Sequence, residues 1–182
     1  MIILAGPVGS GKSEQGQRLA KRLGYPWVSS GQLLRDQADE AHRAIMKKGG
    51  LVSDEYVLSL LSRYLKSLQA DKKELVLDGT PRTLEQAKWL LEKIKTKQIK
   101  LTAIVKFKIS EAQILKRLLA RGREDDRPEV IAHRLDEYRN NTERALEYLA
   151  AHGIKIDQID GEGTPDEVEA SIQRVLETKN AG

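Results

Sequence analysis

The chain has no cysteine and only three histidines, His42, His133 and His152. Disulfides, thiolate zinc sites, iron–sulfur clusters and thiol catalysis are therefore excluded together. The histidines show no i, i+4 pairing, which leaves no histidine metal cage, and they read as surface residues. Aromatics are scarce, so Trp27, Trp89 and the single Phe107 are packing residues by default. No apolar run approaches the ~20 residues of a membrane span. Met1-Ile2-Ile3-Leu4-Ala5 lacks the basic flank and the length of a secretion signal, and the chain reads as cytoplasmic. Neither sign of charge dominates: 31 Lys and Arg against 27 Asp and Glu leave +4. With no clustered basic and aromatic face, a nucleic-acid partner is not expected. What remains is 182 residues, 40% hydrophobic and 32% charged. That describes one soluble domain able to bury about 70% of its unfolded surface. No long exposed apolar helix face demands a second copy, so a monomer is expected.

Short apolar runs alternate with helical patterns. Ile2-Ile3-Leu4-Ala5 reads as a strand buried on both faces, followed by a helix through Arg22. Further strands are expected at Trp27-Val28-Ser29, from Glu74 to Asp78, from Leu101 to Ile109, and at Ile154-Lys155-Ile156. Between them Leu84, Ala87, Leu90, Leu91 and Ile94 repeat at helical spacing. Such alternation predicts a parallel sheet covered by helices on both faces. Two stretches exceed that plan: a mostly helical block over 30–68 and a charged connector over 121–128. The core then comprises 1–29, 69–120 and 129–182.

Gly6-Pro7-Val8-Gly9-Ser10-Gly11-Lys12-Ser13 matches G-x-x-x-x-G-K-[ST] between the first strand and the first helix, where a phosphate cradle must sit. Its backbone amides can turn onto phosphate oxygens, the helix N-terminus adds partial positive charge, and Lys12 adds a full one. Ser13 can offer its hydroxyl to magnesium. The motif names a phosphate and leaves the reaction open.

Three more segments carry polar residues that a plain fold does not need. Ser29-Ser30-Gly31-Gln32-Leu33-Leu34-Arg35 brings an arginine after the second strand. Asp78-Gly79-Thr80-Pro81-Arg82-Thr83-Leu84-Glu85-Gln86 brings Asp, Arg and Gln to the carboxyl end of the third, the edge where open parallel sheets bind ligands. Arg121 to Arg134 supplies the last group. In the helix starting near Glu129, Arg134 falls inside the apolar stripe of Val130, Ile131, Leu135, Tyr138, Ala145, Leu146 and Leu149. A guanidinium there needs an anion, either a phosphate or an internal carboxylate. Thr83-Leu84-Glu85-Gln86 also reads as a capping box in which Gln86 reaches back to the Thr83 amide. Asp78 can serve a turn, Arg35 can be a solvated helix residue, and the 121–127 arginines can form a solvated cluster tied to Asp125 and Asp126.

Taken together and in order along the chain, these motifs resemble the adenylate kinase family of nucleoside monophosphate kinases. The resemblance implies a three-layer P-loop fold with five parallel strands ordered 2-3-1-4-5, a monophosphate-binding insertion over 30–68 and a very short lid over 121–128. It implies transfer of a phosphoryl group from Mg-ATP to AMP, giving two ADP. By that likeness Gly9, Ser10, Gly11, Lys12, Ser13, Glu14, Arg117, Arg121 and Gly163 contact ATP. Ser30, Gly31, Arg35, Gly50, Leu51, Val52, Gly79, Thr80, Pro81, Arg82, Gln86, Arg123 and Arg134 contact AMP, with Gln86 at the adenine edge. Lys12, Arg82, Arg121, Arg123 and Arg134 act on the transferring group, and Ser13 and Asp78 attend magnesium. Glu14 stands where that family usually has Thr, Thr80 replaces an aromatic, and Ser30-Gly31-Gln32 replaces Thr-Gly-Asp. UMP, CMP or another monophosphate therefore stays open as acceptor, as does a nucleotide-binding module without turnover.

Overall fold

The computed structural model describes residues 1–123 and 125–180; Glu124, within the expected lid, lies outside the described residues. Strands β1 (Ile2–Ala5), β2 (Trp27–Ser29), β3 (Val76–Asp78), β4 (Ala103–Lys108) and β5 (Ile156–Asp160) form one parallel sheet. Their order is β2-β3-β1-β4-β5, as expected. The helices are α1 (Lys12–Leu23), α2 (Ser30–Gln37), α3 (Glu40–Lys47), α4 (Asp54–Ser67), α5 (Leu84–Lys95), α6 (Glu111–Arg121), α7 (Pro128–Glu137), α8 (Arg144–Ala151) and α9 (Pro165–Asn180). A π-helical turn, Tyr138–Glu143, joins α7 to α8 without a break.

Alternate strand residues feed two cores, as the two-residue period of a strand dictates. Ile2, Leu4, Val76 and Val105 face Leu19 of α1 and Ile172 of α9. Ile3, Leu77 and Ile104 face Leu61 of α4, Leu90 of α5 and Leu146 of α8. All are nearly inaccessible to water, and each such side chain stabilises the fold by about 1.5–3 kcal/mol. Two smaller clusters lie outside the layers. Leu33, Leu34, Val52, Val57 and Leu60 bind α2 to α4 within the 30–68 block. Ile114, Leu118, Ile131 and Leu135 bind α6 to α7 on either side of the charged connector. Both clusters present the polar segments between them to the carboxyl edge of the sheet.

Two expectations need correction. The fifth strand is Ile156–Asp160, not Ile154–Ile156, and pairs with Ile104 to Lys108. As an edge strand with one neighbour it tolerates Asp157, Gln158 and Asp160, so the search for an apolar run misplaces it. β3 and β4 are also shorter than Glu74–Asp78 and Leu101–Ile109. The second correction concerns the helix from Glu129, which is not regular. Val130, Ile131, Leu135, Ala145, Leu146 and Leu149 are buried as the stripe predicts. Tyr138, by contrast, opens the π turn, where the 3.6-residue phase is lost.

Candidate active site

The chain leaves β1 at Ala5 and enters α1 at Lys12 through a loop that only glycine can shape at two points. Gly9 and Gly11 have φ of 76° and 86°, in the left-handed region. A Cβ on Gly9 would stand 3.0 Å from Leu118 Cγ and 3.3 Å from the Ile114 carbonyl, so α6 backs the loop directly. Lys12 Nζ donates to the Pro7 carbonyl at 3.0 Å, which folds the amine over the loop. Burial lowers its pKa to about 8; Asp78 opposes that shift, while Arg82, Arg134 and Arg121 reinforce it. Arg117 straps the loop to the start of α9, donating to the carbonyls of Ser10 (3.4 Å), Glu162 (3.3 Å) and Gly163 (3.4 Å). Glu14, in the first turn of α1, lines the rim of the cleft and pairs with Arg18 at 3.6 Å.

Asp78 ends β3 beside the loop. Ser13 Oγ donates to its Oδ2 at 2.5 Å, whereas Oδ1 is buried without a partner in the protein. A carboxylate that is 2% exposed with a vacant lone pair is costly unless a cation or donor completes it. Ser30 Oγ, also buried, donates to the Gly79 carbonyl at 2.8 Å and so ties α2 to the end of β3. Thr80 is 1% exposed and its hydroxyl has no partner.

Arginines converge opposite the cradle. Arg82 Nε donates to the Gly79 carbonyl at 2.8 Å. A Cβ on Gly31 would lie 3.2 Å from Arg82 Nη2 and 3.5 Å from Arg35 Nη1, so the absence of a side chain there lets two guanidiniums approach one point. Arg35 is held by Gln32 Oε1, at 2.8 Å from Nη2. Arg121 makes a bidentate pair with Asp126, at 2.8 and 2.6 Å, and the Arg123 amide donates to the same carboxylate at 3.0 Å. Burial would raise the Asp126 carboxyl, but these bonds outweigh it and hold it below the usual carboxylate range. Arg134 Nη1 meets Asp125 at 2.7 Å, so the stripe-facing guanidinium does have an internal carboxylate. Burial lowers the Arg134 pKa; Asp125 opposes, and Arg82 and Arg121 add to the lowering. Arg82 and Arg35 are lowered in the same way, first by burial. Mutually repelling cations held together in this manner mark a place prepared for an anion.

The cradle and these arginines share one cleft of about 1060 Å³, as large as the biggest single-ligand pockets of about 300–1,000 Å³. Gly163 lies at one end, beside Arg117. At the other, Ser30, Gly50, Leu51, Val52 and Gln86 line an annex of about 30 Å³, too small for a nucleobase and roughly enough for a water or two. Gln86 departs from the expected capping box. Its backbone N–H donates to Thr83 Oγ1, but its Oε1 accepts from the Arg82 amide at 2.8 Å, not from that of Thr83. Its Nε2 donates to Asp54 at 2.8 Å. Sequence reasoning missed Asp54, Tyr138 and Thr142. Thr142 Oγ1 donates to the Arg82 carbonyl at 3.1 Å. Asp54 reads in sequence as an ordinary helix-start acid, and the other two reach the cleft only through the π turn.

Comparison with known proteins follows the same lines. The family model described as adenylate kinase matches residues 4–154. The chain is 37% identical over 185 residues to an adenylate kinase of Thermus thermophilus, covering 96% of each chain. It is 39% identical over 182 residues to an adenylate kinase of Mycobacterium leprae, covering 96% of this chain and 98% of the relative. A third, from Azorhizobium caulinodans, is 36% identical over 193 residues, covering 97% and 98%. With a sheet of the expected order, a glycine loop backed by α6 and a cation-lined cleft across its mouth, the chain belongs to the adenylate kinase family.

Proposed function

We propose that the protein transfers the γ-phosphoryl group of Mg-ATP directly to AMP, giving two ADP. The observation that carries this reading is the cleft that Lys12 of the cradle shares with the guanidiniums of Arg82, Arg121 and Arg134. Only a shared, highly anionic occupant repays that arrangement, and two nucleotides meeting phosphate to phosphate provide one. An oxygen of the AMP phosphate bonds to the γ-phosphorus as the bond to the β–γ bridging oxygen breaks; no proton need move. Charge spreads over the three equatorial oxygens, so catalysis lies in positioning and cation placement. In this reading the cradle and Lys12 hold the ATP phosphates, Arg117 and Gly163 flank its adenosine, and Arg35 and Arg82 hold the AMP phosphate. Arg121, Arg123 and Arg134 close on the transferring group. Residues 30–68 form the AMP-binding insertion and 121–128 the lid.

Ser13 and the vacant Oδ1 of Asp78 fit a magnesium ion held largely through water. Among the described residues no cluster of three or more His, Cys, Asp or Glu offers a full cage, which suits an ion that keeps waters and phosphate oxygens as ligands. Magnesium, when bound with ATP, would neutralise phosphate charge and favour departure of ADP from the γ-phosphorus. No described helix is long and apolar enough to cross a membrane, and we take the enzyme to act as a cytoplasmic monomer.

Steady-state ADP formation from ATP with AMP, CMP, UMP or GMP tests the proposal. AMP is expected to be the preferred acceptor. Lys12→Ala and Arg134→Ala should each lower turnover by roughly 10³–10⁵, as loss of an arginine finger does, with circular dichroism unchanged. Near-normal turnover in either folded variant, or ATP binding without ADP formation, would overturn it.

A further inference from the structure

The annex holds one amide, that of Gln86, and the protein dictates which way it faces. Asp54, the first residue of α4, accepts at a single oxygen, Oδ1, both from Thr83 Oγ1 at 2.7 Å and from Gln86 Nε2 at 2.8 Å. A carboxylate only accepts and a backbone N–H only donates. The amide nitrogen must therefore face Asp54, and the amide oxygen must face the Arg82 N–H, 2.8 Å away. Flipping the amide would set oxygen against carboxylate and N–H against N–H. In the observed orientation one N–H and one oxygen lone pair of Gln86 remain uncommitted, and the residue is 3% exposed at the wall of the annex, which has to widen before a base can reach it.

We infer that Asp54 is a specificity-determining positioning residue, which never touches the acceptor but, with the Arg82 N–H, locks the Gln86 amide in the orientation that accepts adenine and rejects a 6-oxopurine. This rests on the AMP-kinase reading above and deepens it. Adenine presents an exocyclic N–H donor beside a ring-nitrogen acceptor, which matches a free amide oxygen beside a free amide N–H. A 6-oxopurine presents a carbonyl acceptor beside a ring N–H, the reverse pattern, and would need the flipped amide. The lock spans two parts of the fold: Asp54 belongs to α4 of the 30–68 block, and Gln86 to the first turn of α5. Its acceptor role does not need the negative charge, because one carbonyl-type oxygen can receive both bonds.

The test compares kcat/KM for AMP and inosine monophosphate, which differs from AMP only in the pattern at positions 1 and 6 of the base. Asp54→Ala, which leaves the Arg82 N–H as the remaining constraint on the amide, is expected to lower the AMP-to-inosine-monophosphate ratio by roughly fivefold to tenfold, part of the about 1–3 kcal/mol by which a bidentate base contact discriminates. Asp54→Asn, which keeps an oxygen acceptor, is expected to restore the ratio to within about threefold of the unaltered enzyme. Asp54→Ser, a good helix-start residue with too short a side chain to replace both bonds, carries the same expectation as alanine if Asp54→Ala does not fold. Equal loss on both acceptors in a folded Asp54→Ala or Asp54→Ser enzyme would reduce Asp54 to a helix-start residue and overturn the inference. So would an Asp54→Asn enzyme that behaves like Asp54→Ala, because charge would then be the operative property. An unaltered enzyme inactive on AMP overturns the kinase reading and this inference together, and is recognised before any variant is made.

Discussion

Lys12 carries an internal conflict. Its amine is buried among arginines and titrates at about 8, below the ordinary 10.5 of lysine. Between those values the unfolded chain binds more protons than the folded one, so folding stability rises with pH through that window and is lowest below it. The charged amine is thus a cost to the empty fold that a polyphosphate relieves. Lys12→Met should accordingly stabilise the nucleotide-free protein by roughly 1–3 kcal/mol, because holding a pKa one pH unit low costs about 1.4 kcal/mol, while removing turnover; thermal unfolding reads the first part. ATP affinity should hold up to about pH 8 and then weaken by up to about tenfold per pH unit, since only the cation is attracted. Calorimetry near pH 8.5 in buffers of different ionisation enthalpy should show proton uptake on ATP binding. An affinity that stays flat to about pH 9.5 would show that the amine titrates normally.

The π turn between α7 and α8 places Thr142 under the backbone of Arg82. Thr142→Val, which keeps the shape and loses the hydroxyl, leaves the Arg82 carbonyl without that donor. It should cost about 1–2 kcal/mol of stability and lower kcat roughly tenfold by loosening the loop that carries Arg82, a loss of about 1.4 kcal/mol. Thr142→Ser should restore both, as seen in unfolding curves and initial rates. The interplay of turn and loop also shows where sequence reading reaches and where it stops. Gly6 to Ser13 is legible because its chemistry is local: consecutive residues make the cradle. The sheet order follows from family likeness, and four of the five strands stand out as apolar runs or paired neighbours. β5 does not, because an edge strand needs only one apolar face. Asp54 and Thr142 depend on contacts between distant elements, which no spacing rule encodes, whereas the pairing of Arg134 with Asp125, nine residues away, is among the readings the sequence offers. In sequence Gln86 reads as either a cap or a base reader, whereas the fold ties its amide to Arg82 and Asp54 and leaves part of it facing the annex.

The net charge of +4 understates the field inside the cleft, where Lys12, Arg35, Arg43, Lys47, Arg82, Arg117, Arg121, Arg123 and Arg134 outnumber Glu14, Asp78, Asp125 and Glu137. Low-dielectric walls focus such a field and draw polyanions in. Raising ionic strength from about 0.05 to 0.5 M shortens the Debye length to under about 5 Å and should increase KM for both nucleotides several-fold, with kcat changed much less. An unchanged KM would mean that only short-range contacts bind. The continuous rod of α7, π turn and α8 has a further consequence for how the two sides of that cleft are set against each other. Its lower half is anchored under the sheet through Leu146 and Leu149, and its upper half carries Ile131, Arg134 and Leu135. A π turn holds one residue more than the α-helical turn it replaces, and each residue of an α-helix advances about 100°. Excising a single residue from 138–143 would swing the whole upper half by about that angle, taking Arg134 off the crevice and Ile131 off α6. The working alignment of the molecule thus hangs on a one-residue surplus in the middle of a helix.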